Sequence, residues 1–229
     1  MQQSGRDSAG NRHRTDRVPI CGTWLTRHPV DLDRFRTQQM NSGRRTVIGT
    51  VGALRPEKNL ARLVQAFSDA DLARQARLVV VGDGPARAGL ERLTAELGLG
   101  DHVRFAGHTD RPEIAYAEFD IFALTSDTEQ MPFGVLEAMA SGLPVVATDV
   151  GDIAAMVAPE NRPYVVPPGA PALLAGALDK LAHDRSLRDR IGAANRARAE
   201  AEFSQQQMIE ACRRLFEEVS GVSAAPGTR

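Results

Sequence analysis

Several features that mark particular protein classes are scarce in this sequence of 229 residues. It has only two cysteines, Cys21 and Cys212, without C-x-x-C spacing. This argues against a disulfide framework and a structural zinc site, and it favours a reducing compartment such as the cytoplasm. No apolar run approaches the roughly 18 residues of a membrane span, and the N-terminus lacks an apolar signal-peptide segment. We therefore expect a cytoplasmic protein without a transmembrane segment.

An excess of one charge is also lacking, because the formal net charge is -1. This balance gives no reason to expect nucleic-acid binding. The charge is distributed unevenly, however, since residues 1–45 hold nine arginines against four acids. Lysine is rare, and only Lys58 and Lys180 occur among the 28 basic residues. We interpret residues 1–45 as a basic, irregular N-terminal extension, because the first part of it offers too few apolar groups to offset the entropy of ordering.

What the sequence does contain is an alternation of short β-branched runs with helical periods, beginning at residue 46. This alternation is typical of βαβ units and a parallel sheet. We predict an α/β fold with a doubly wound, Rossmann-like parallel sheet over residues 46–204, followed by a C-terminal crossing helix and tail over 205–229. The predicted strands are 46–52, 77–82, 102–106, 121–124, 144–147 and a short one near 164–166. The predicted helices are 60–67, 86–97 and three within 171–219.

Two carboxylates eight positions apart, Glu129 and Glu137, mark the most informative stretch, residues 128–144. Glu129 precedes a turn that contains Pro132, and Glu137 is predicted to lie in the first turn of an apolar helix that Gly134 opens. The start of a helix offers unpaired N–H groups and a positive dipole end, which suit a phosphate. Because ligands of open α/β sheets bind beyond the carboxyl ends of the strands, both side chains are expected to face one crevice.

This E-x7-E spacing, followed by EAMASGLPVVATD, resembles the donor-binding half of retaining GT-B glycosyltransferases. The resemblance runs from about residue 31 to 216 and includes the Gly-Asp-Gly-Pro turn that starts at Gly82 and the Asp31 to Phe35 text before the first strand. It implies a nucleotide-diphosphate sugar as donor, UDP- or GDP-linked, and hexosyl transfer with retention. It also implies that residues 1–45 include the remnant of an interdomain linker.

The resemblance also implies roles for individual residues. Lys58 would bind the diphosphate and Glu129 would orient the transferred sugar, so these two are the candidate catalytic residues. Glu137 would hold the ribose hydroxyls. Family members often have Gly-Arg-Leu where this chain has Gly52-Ala53-Leu54, so Arg55 is the candidate for a second phosphate cation. The full set of predicted donor-binding residues is Gly52, Arg55, Lys58, Gly82, Glu129, Met131, Pro132, Phe133, Gly134, Val135, Leu136 and Glu137.

Each of these residues also has a structural interpretation. Lys58 and Arg55 are residue types that are common in solvated loops. Glu137 could complement the helix dipole, although a capping box would need Ser or Thr where Gly134 stands. Glu129 could be an ordinary turn acid. The Gly82 turn could serve only to join a strand to a helix. The joint placement of the two acids with Lys58 favours the functional interpretation.

The sequence contains no counterpart of the family's acceptor domain, since only some 45 residues precede the first predicted strand. The resemblance therefore implies a donor-binding half that needs an acceptor domain or subunit, and residues 205–219 are the expected docking helix through Met208, Ala211, Cys212, Leu215 and Val219. The alternative function is a non-catalytic nucleotide-sugar binding module. No D-x-D pair follows a predicted strand, so we expect neither a metal nor another cofactor.

Overall fold

The computed structural model describes residues 29–35 and 45–220, and its centre is a six-stranded, entirely parallel sheet with strand order β3-β2-β1-β4-β5-β6. This order, in which the chain moves outward from β1 in one direction and then in the other, is that of a Rossmann-like doubly wound sheet. The fold-class prediction is confirmed. The strands are β1 Thr46–Val51, β2 Ala76–Val81, β3 Val103–Gly107, β4 Ile121–Leu124, β5 Val145–Thr148 and β6 Val165–Val166.

Eight α-helices connect and cover the strands in the described part of the chain. They are α1 Leu60–Asp69, α2 Arg87–Glu96, α3 Pro112–Glu118, α4 Phe133–Ala140, α5 Ile153–Met156, α6 Pro171–His183, α7 Arg185–Glu202 and α8 Gln205–Ser220. Short 3₁₀ helices span Pro56–Lys58, Leu72–Arg74 and Pro159–Tyr164. None of the helices in the described ranges is long and apolar enough to cross a bilayer.

The core has two layers, because both faces of the sheet are covered. Every residue of β4 and β5 is buried, as expected for parallel strands that lie between two layers of helices. One cluster of buried side chains joins the sheet to α1, α2 and α6. The other joins it to α3, α4, α5 and α7. This second layer carries the aromatic side chains of α3 and β4 and, as described below, one wall of the candidate site.

Residues 29–35 pack against this second layer, although they form no helix or strand of their own. Val30 and Phe35 are buried in the cluster that contains α3 and α4. The Val30 amide donates to the Phe203 carbonyl over 2.9 Å, and Arg34 forms an ion pair with Glu113 of α3 at 2.9 Å. Residues 1–28 and 36–44 of the predicted extension lie outside the described residues, as do residues 221–229 of the predicted tail.

The predicted elements agree with the structure to within about two residues at most ends. The exception that matters for the site is α4, which begins at Phe133 with Pro132 as its N-cap, so the prediction that Gly134 opens it was wrong. Glu137 is therefore its fifth residue and lies in the second turn, not the first. Phe133 takes the first helical position because Pro132, in extended conformation, ends the preceding loop.

Candidate functional site

A cleft of about 780 Å³ opens at the carboxyl ends of β1, β2 and β4, where parallel α/β sheets bind their ligands. Most of the predicted site residues line it, and they come from three loops and from the start of α4. Its lining consists of Val51, Gly52, Ala53, Lys58, Val81, Gly82, Asp83, His108, Thr109, Pro112, Leu124, Glu129, Gln130, Met131, Pro132, Phe133, Gly134 and Glu137.

The two candidate catalytic residues contact each other in this ligand-free cleft. Lys58 Nζ lies 2.5 Å from Glu129 Oε1, and the Ser126 hydroxyl donates to the same oxygen over 2.6 Å. The side chains are only 28% and 10% exposed, so the pair is partly shielded from water. No donor for the second oxygen, Oε2, is found among the described residues. Glu129 is thus held on one side and able to accept hydrogen bonds on the other.

A network of side chains fixes the loop that carries Lys58 against the loop that carries Glu129. Asn59 adopts a left-handed conformation, caps α1 by accepting from the Arg62 amide over 3.3 Å, and donates to both oxygens of Asp127 at 3.1 Å. Arg62 also binds Asp127, at 2.6 Å, and the Thr125 carbonyl, at 2.9 Å. These contacts lower the pKa of Asp127, through its hydrogen bonds to Asn59 and Arg62. The network keeps Lys58 and Glu129 on facing sides of the cleft.

The floor of the cleft depends on a close approach between the turns after β1 and β2. Gly82 has a φ of +133°, and a Cβ atom at this position would lie 1.9 Å from the Gly52 carbonyl oxygen. Such a distance is a severe clash with backbone. Glycine at position 82 is therefore required by the packing of the two turns, and a ligand can approach the backbone closely there.

The start of α4 forms a second wall of the cleft. Pro132 occupies the N-cap and has no side chain that can accept from the first amides of the helix. Phe133 is 53% exposed beside the cleft. Val135 and Leu136 are fully buried in the core, so only their backbone could reach a ligand, and the Val135 amide already donates to the Pro132 carbonyl over 3.1 Å.

Glu137 is a partly buried carboxyl group at the start of α4. Burial raises its pKa, which is the largest effect, and the nearby Glu113 carboxylate raises it further. A hydrogen bond with Tyr116 and the field of Arg34 act in the opposite direction. Tyr116 is 1% exposed, and burial together with the Glu137 charge raises the pKa of its phenol well above the ordinary value. The phenol therefore remains protonated at physiological pH and can act as a donor.

Arg55, like Val135 and Leu136, is a predicted site residue whose side chain does not line the cleft. It does not line the cleft, it is 63% exposed, and its guanidinium lies 4.0 Å from the Glu57 carboxylate. Its predicted contact with a phosphate would require a different side-chain conformation. In the described ranges, no group of three or more His, Cys, Asp and Glu side chains is arranged to hold a metal ion. Metal independence itself stays a prediction.

Two side chains that act on the candidate acids were not singled out in the sequence. Ser126 lies two residues after β4 and contacts Glu129, and its position just beyond a buried apolar strand was the signal that could have found it. Tyr116 lies in α3, 21 residues before Glu137, and no local pattern predicts that it affects the pKa of that carboxyl.

The family follows from a direct comparison with known proteins. Residues 32–198 match the family of group 1 glycosyl transferases, and this range is more than half of the chain. The chain belongs to this family. The resemblance to GT-B glycosyltransferases is thereby confirmed, and the sheet described above is a Rossmann-like sheet that matches the half-domains of GT-B structures.

Individual relatives agree with this assignment. The 2-deoxystreptamine glucosyltransferase of Streptomyces kanamyceticus is 36% identical over 141 residues, which are 60% of this chain and 36% of that enzyme. The structure of sucrose-phosphate synthase from Thermosynechococcus elongatus superposes with a TM-score of 0.75 at 26% identity, over 85% of this chain and 52% of that one. The structure of HepE from Anabaena in complex with UDP-glucose superposes with a TM-score of 0.70 at 25% identity, over 85% of this chain and 56% of that one. The chain spans about a third to a half of the length of the first curated relatives it matches.

Proposed function

We propose that this chain forms the donor-binding half of an enzyme that transfers a hexosyl group from a UDP- or GDP-linked sugar to an acceptor hydroxyl, with retention of the anomeric configuration. The observation that carries the proposal is the single cleft in which Lys58, Glu129, Glu137 and the start of α4 come together. Membership of the group 1 family and the UDP-glucose bound to the Anabaena relative support a nucleotide-sugar donor.

The diphosphate of the donor would lie between Lys58 and the first turn of α4. Lys58 offers a positive charge, and the N-terminal end of the helix offers amide groups and a favourable dipole. Lys58 forms an ion pair with Glu129, so binding of the diphosphate would replace one ion pair with another. This exchange would make the net contribution of Lys58 smaller than that of a lysine with no such partner.

The ribose hydroxyls would donate to Glu137, whose raised pKa reflects burial of the carboxyl group. Hydroxyl donors supplied by a ligand replace the solvation that burial removes. Each hydrogen bond to a charged acceptor contributes about 1.5 to 3 kcal/mol, so this contact is expected to account for much of the nucleotide affinity.

Glu129 would orient the transferred sugar. Its Oε1 atom is occupied by Lys58 and Ser126, and the sugar hydroxyls would reach Oε2. The loop that carries Glu129 is anchored through the Asp127 network, which limits the freedom of the carboxylate. Such anchoring favours a single orientation of the anomeric carbon relative to the acceptor.

In the reaction, the bond between the anomeric carbon and the diphosphate oxygen breaks, and the diphosphate leaves with the electron pair. The acceptor oxygen forms the new bond, and its proton passes to an oxygen of the leaving diphosphate. Lys58 and the α4 amides would stabilise the charge on the leaving diphosphate, which is the proposed reason that a metal is not required. The acceptor hydroxyl would be supplied by a domain or subunit that packs on α8, where Ile209 and Phe216 are exposed.

The proposal is tested by titrating the purified protein with a panel of UDP- and GDP-sugars in a calorimeter, with and without a metal chelator. We expect one nucleotide series to bind at micromolar to millimolar strength and binding to persist with the chelator. A turnover assay with an acceptor domain in trans then distinguishes an enzyme half from a non-catalytic binding module, and NMR of the product reports the anomeric configuration. Absence of binding by every nucleotide sugar would refute the proposal.

A further inference from the structure

Two buried hydroxyl groups, those of Ser126 and Thr148, support Glu129 on its core side. We infer that Ser126 is a positioning residue that keeps Oε2 of Glu129 directed at the transferred sugar, and that Thr148 holds Ser126 in the place this requires. The inference rests on the proposed function, because it assumes that Glu129 binds the sugar. It deepens that function by naming residues that act on the sugar only through Glu129.

The contact between Ser126 and Glu129 is short and lies behind the cleft wall. The Ser126 hydroxyl donates to Glu129 Oε1 over 2.6 Å. This length is typical of a hydroxyl bound to a carboxylate, about 2.5 to 2.7 Å, a class of bond roughly twice as strong as one between neutral groups. Ser126 is completely buried and is not part of the cleft lining. Its effect on a ligand in the cleft therefore passes through Glu129.

Ser126 restricts the carboxylate in a way that Lys58 does not. Lys58 donates to the same oxygen, but its ammonium group is carried on a flexible four-carbon stem and lines the cleft, where the diphosphate is proposed to bind it. The short Ser126 side chain has no second partner proposed for it. With Oε1 fixed from the core side, Oε2 receives no hydrogen bond from the described part of the chain and is left for the sugar.

The end of β5 sets the position of Ser126. Thr148, the last residue of β5, donates its hydroxyl to the Ser126 carbonyl over 2.6 Å, and it is 1% exposed. The register between β4 and β5 ends with Leu124 opposite Ala147. Ser126 lies two residues beyond that pair, so the Thr148 side chain continues the hydrogen bonding between the two chain segments where the ladder stops. Ser126 is thus tied to the sheet.

The turn after β5 also holds the main chain of Glu129. Gly151 has a φ of +58°, and a Cβ atom there would lie 2.4 Å from the Glu129 carbonyl oxygen and 2.5 Å from that of Gln130. The Asp152 amide donates to the Gln130 carbonyl over 2.9 Å. The main chain at Glu129 therefore cannot move closer to this turn. The carboxylate can adjust through its own side-chain torsions, and the bond from Ser126 restricts them.

The test uses Ser126→Ala, which removes the hydroxyl, and Thr148→Val, which removes the other hydroxyl and keeps the branched shape. The matched control is Ser141→Ala, because Ser141 is also a buried serine but lies at the C-cap of α4, outside the cleft lining. Calorimetry measures the affinity of each variant for UDP and UDP-glucose and for GDP and GDP-mannose. Within the series that the wild type binds, the ratio of the two affinities reports the contribution of the sugar.

The expected losses are confined to the ligand that carries a sugar. Ser126→Ala should weaken the nucleotide sugar about threefold to tenfold, because the sugar meets a carboxylate that is less well oriented. Thr148→Val should cause a smaller loss, about twofold, since the Ser126 hydroxyl is retained. Both variants should bind the nucleoside diphosphate as the wild type does. Ser141→Ala should change neither affinity.

A double-mutant cycle separates positioning from a structural role. In a Glu129→Ala background, Ser126→Ala should cause no further loss of affinity for the nucleotide sugar, since the group through which it acts is gone. A structural role would instead weaken the nucleotide sugar and the nucleoside diphosphate alike, in both backgrounds. If Ser126→Ala does not fold, Thr148→Val supplies the same comparison.

The outcomes distinguish this inference from the proposed function. If the wild type binds no nucleotide sugar, the proposed function fails and the inference fails with it. The inference alone is refuted if the wild type binds a nucleotide sugar but the variants leave its affinity unchanged or weaken the nucleoside diphosphate equally. An equal loss from the serine substitution with and without the Glu129 carboxylate would refute it too.

Discussion

The two carboxylates of the cleft lie eight positions apart in the sequence but in opposite electrostatic environments. Glu129 is compensated by an ion pair with Lys58 and a hydrogen bond from Ser126. For Glu137, burial raises the pKa, the field of Arg34 lowers it and the Glu113 carboxylate raises it. The same residue type is thus suited to two tasks. The first acid is held by an ion pair, whereas burial is the largest influence on the second.

The largest effect is expected for Glu137, the acid whose pKa is raised by burial. Glu137→Ala should weaken binding of the nucleoside diphosphate tenfold or more, about 1.4 kcal/mol, since the ribose hydroxyls lose a charged acceptor. Calorimetry measures the affinity, and the 2′,3′-dideoxy analogue is the control ligand, because it should bind the variant and the wild type alike. An unchanged affinity for the ribose form in a folded variant would contradict the assignment.

A smaller effect on binding is expected for Lys58, which forms an ion pair with Glu129. Lys58→Ala should weaken the binding of a nucleoside diphosphate about threefold to tenfold, because the diphosphate loses a positively charged partner. The loss is limited because Lys58 must give up its ion pair with Glu129 to bind the diphosphate. The bare nucleoside should bind as before. Lys180→Ala is the matched control, since Lys180 is the other lysine of the sequence and lies in α6. Equal losses for the nucleoside and the diphosphate would indicate that Lys58 acts through the fold.

The ionised Glu137 carboxylate is expected to favour binding of the donor but to lower the stability of the fold. A carboxyl whose pKa is higher in the folded than in the unfolded state binds its proton more tightly when folded, so stability falls as pH rises from the unfolded to the folded pKa. Glu137→Gln removes this loss. We expect the variant to melt at a higher temperature than the wild type at pH 7, with the difference shrinking as the pH falls toward about 4.3 and no longer changing below it. A Tm difference independent of pH would contradict the raised pKa.

The smallest effect is expected at Arg55. Its side chain is largely exposed and pairs only loosely with Glu57, so Arg55→Ala should leave the affinity for a nucleoside diphosphate nearly unchanged. The same calorimetric titration measures it beside Lys58→Ala. A loss as large as that of Lys58→Ala would mean that Arg55 turns into the cleft on binding and serves as the second phosphate cation, as the sequence predicted.

Much of the fold was predictable because it depends on short-range patterns. Continuous apolar runs predicted β4 and β5, and the i, i+3, i+4, i+7 spacing of Leu60, Leu63, Val64 and Phe67 predicted α1. The start of α4 was misplaced by one residue, because Gly134 is the stronger sequence signal for a turn but lies inside the helix, where a Cβ atom would be tightly placed, 3.1 Å from the Phe122 ring and 3.3 Å from the Tyr116 hydroxyl.

The sequence by itself determined the alternation of strands and helices, the family, and the two acids that follow β4. Tertiary structure alone decided which partners those acids have. Lys58 reaches Glu129 across 71 residues, and the Tyr116 hydroxyl of α3 donates to the Gly134 carbonyl at the start of α4. The physical reason is that residue spacing encodes the period of one element, whereas contacts between loops depend on the order in which β1, β2 and β4 lie side by side in the sheet.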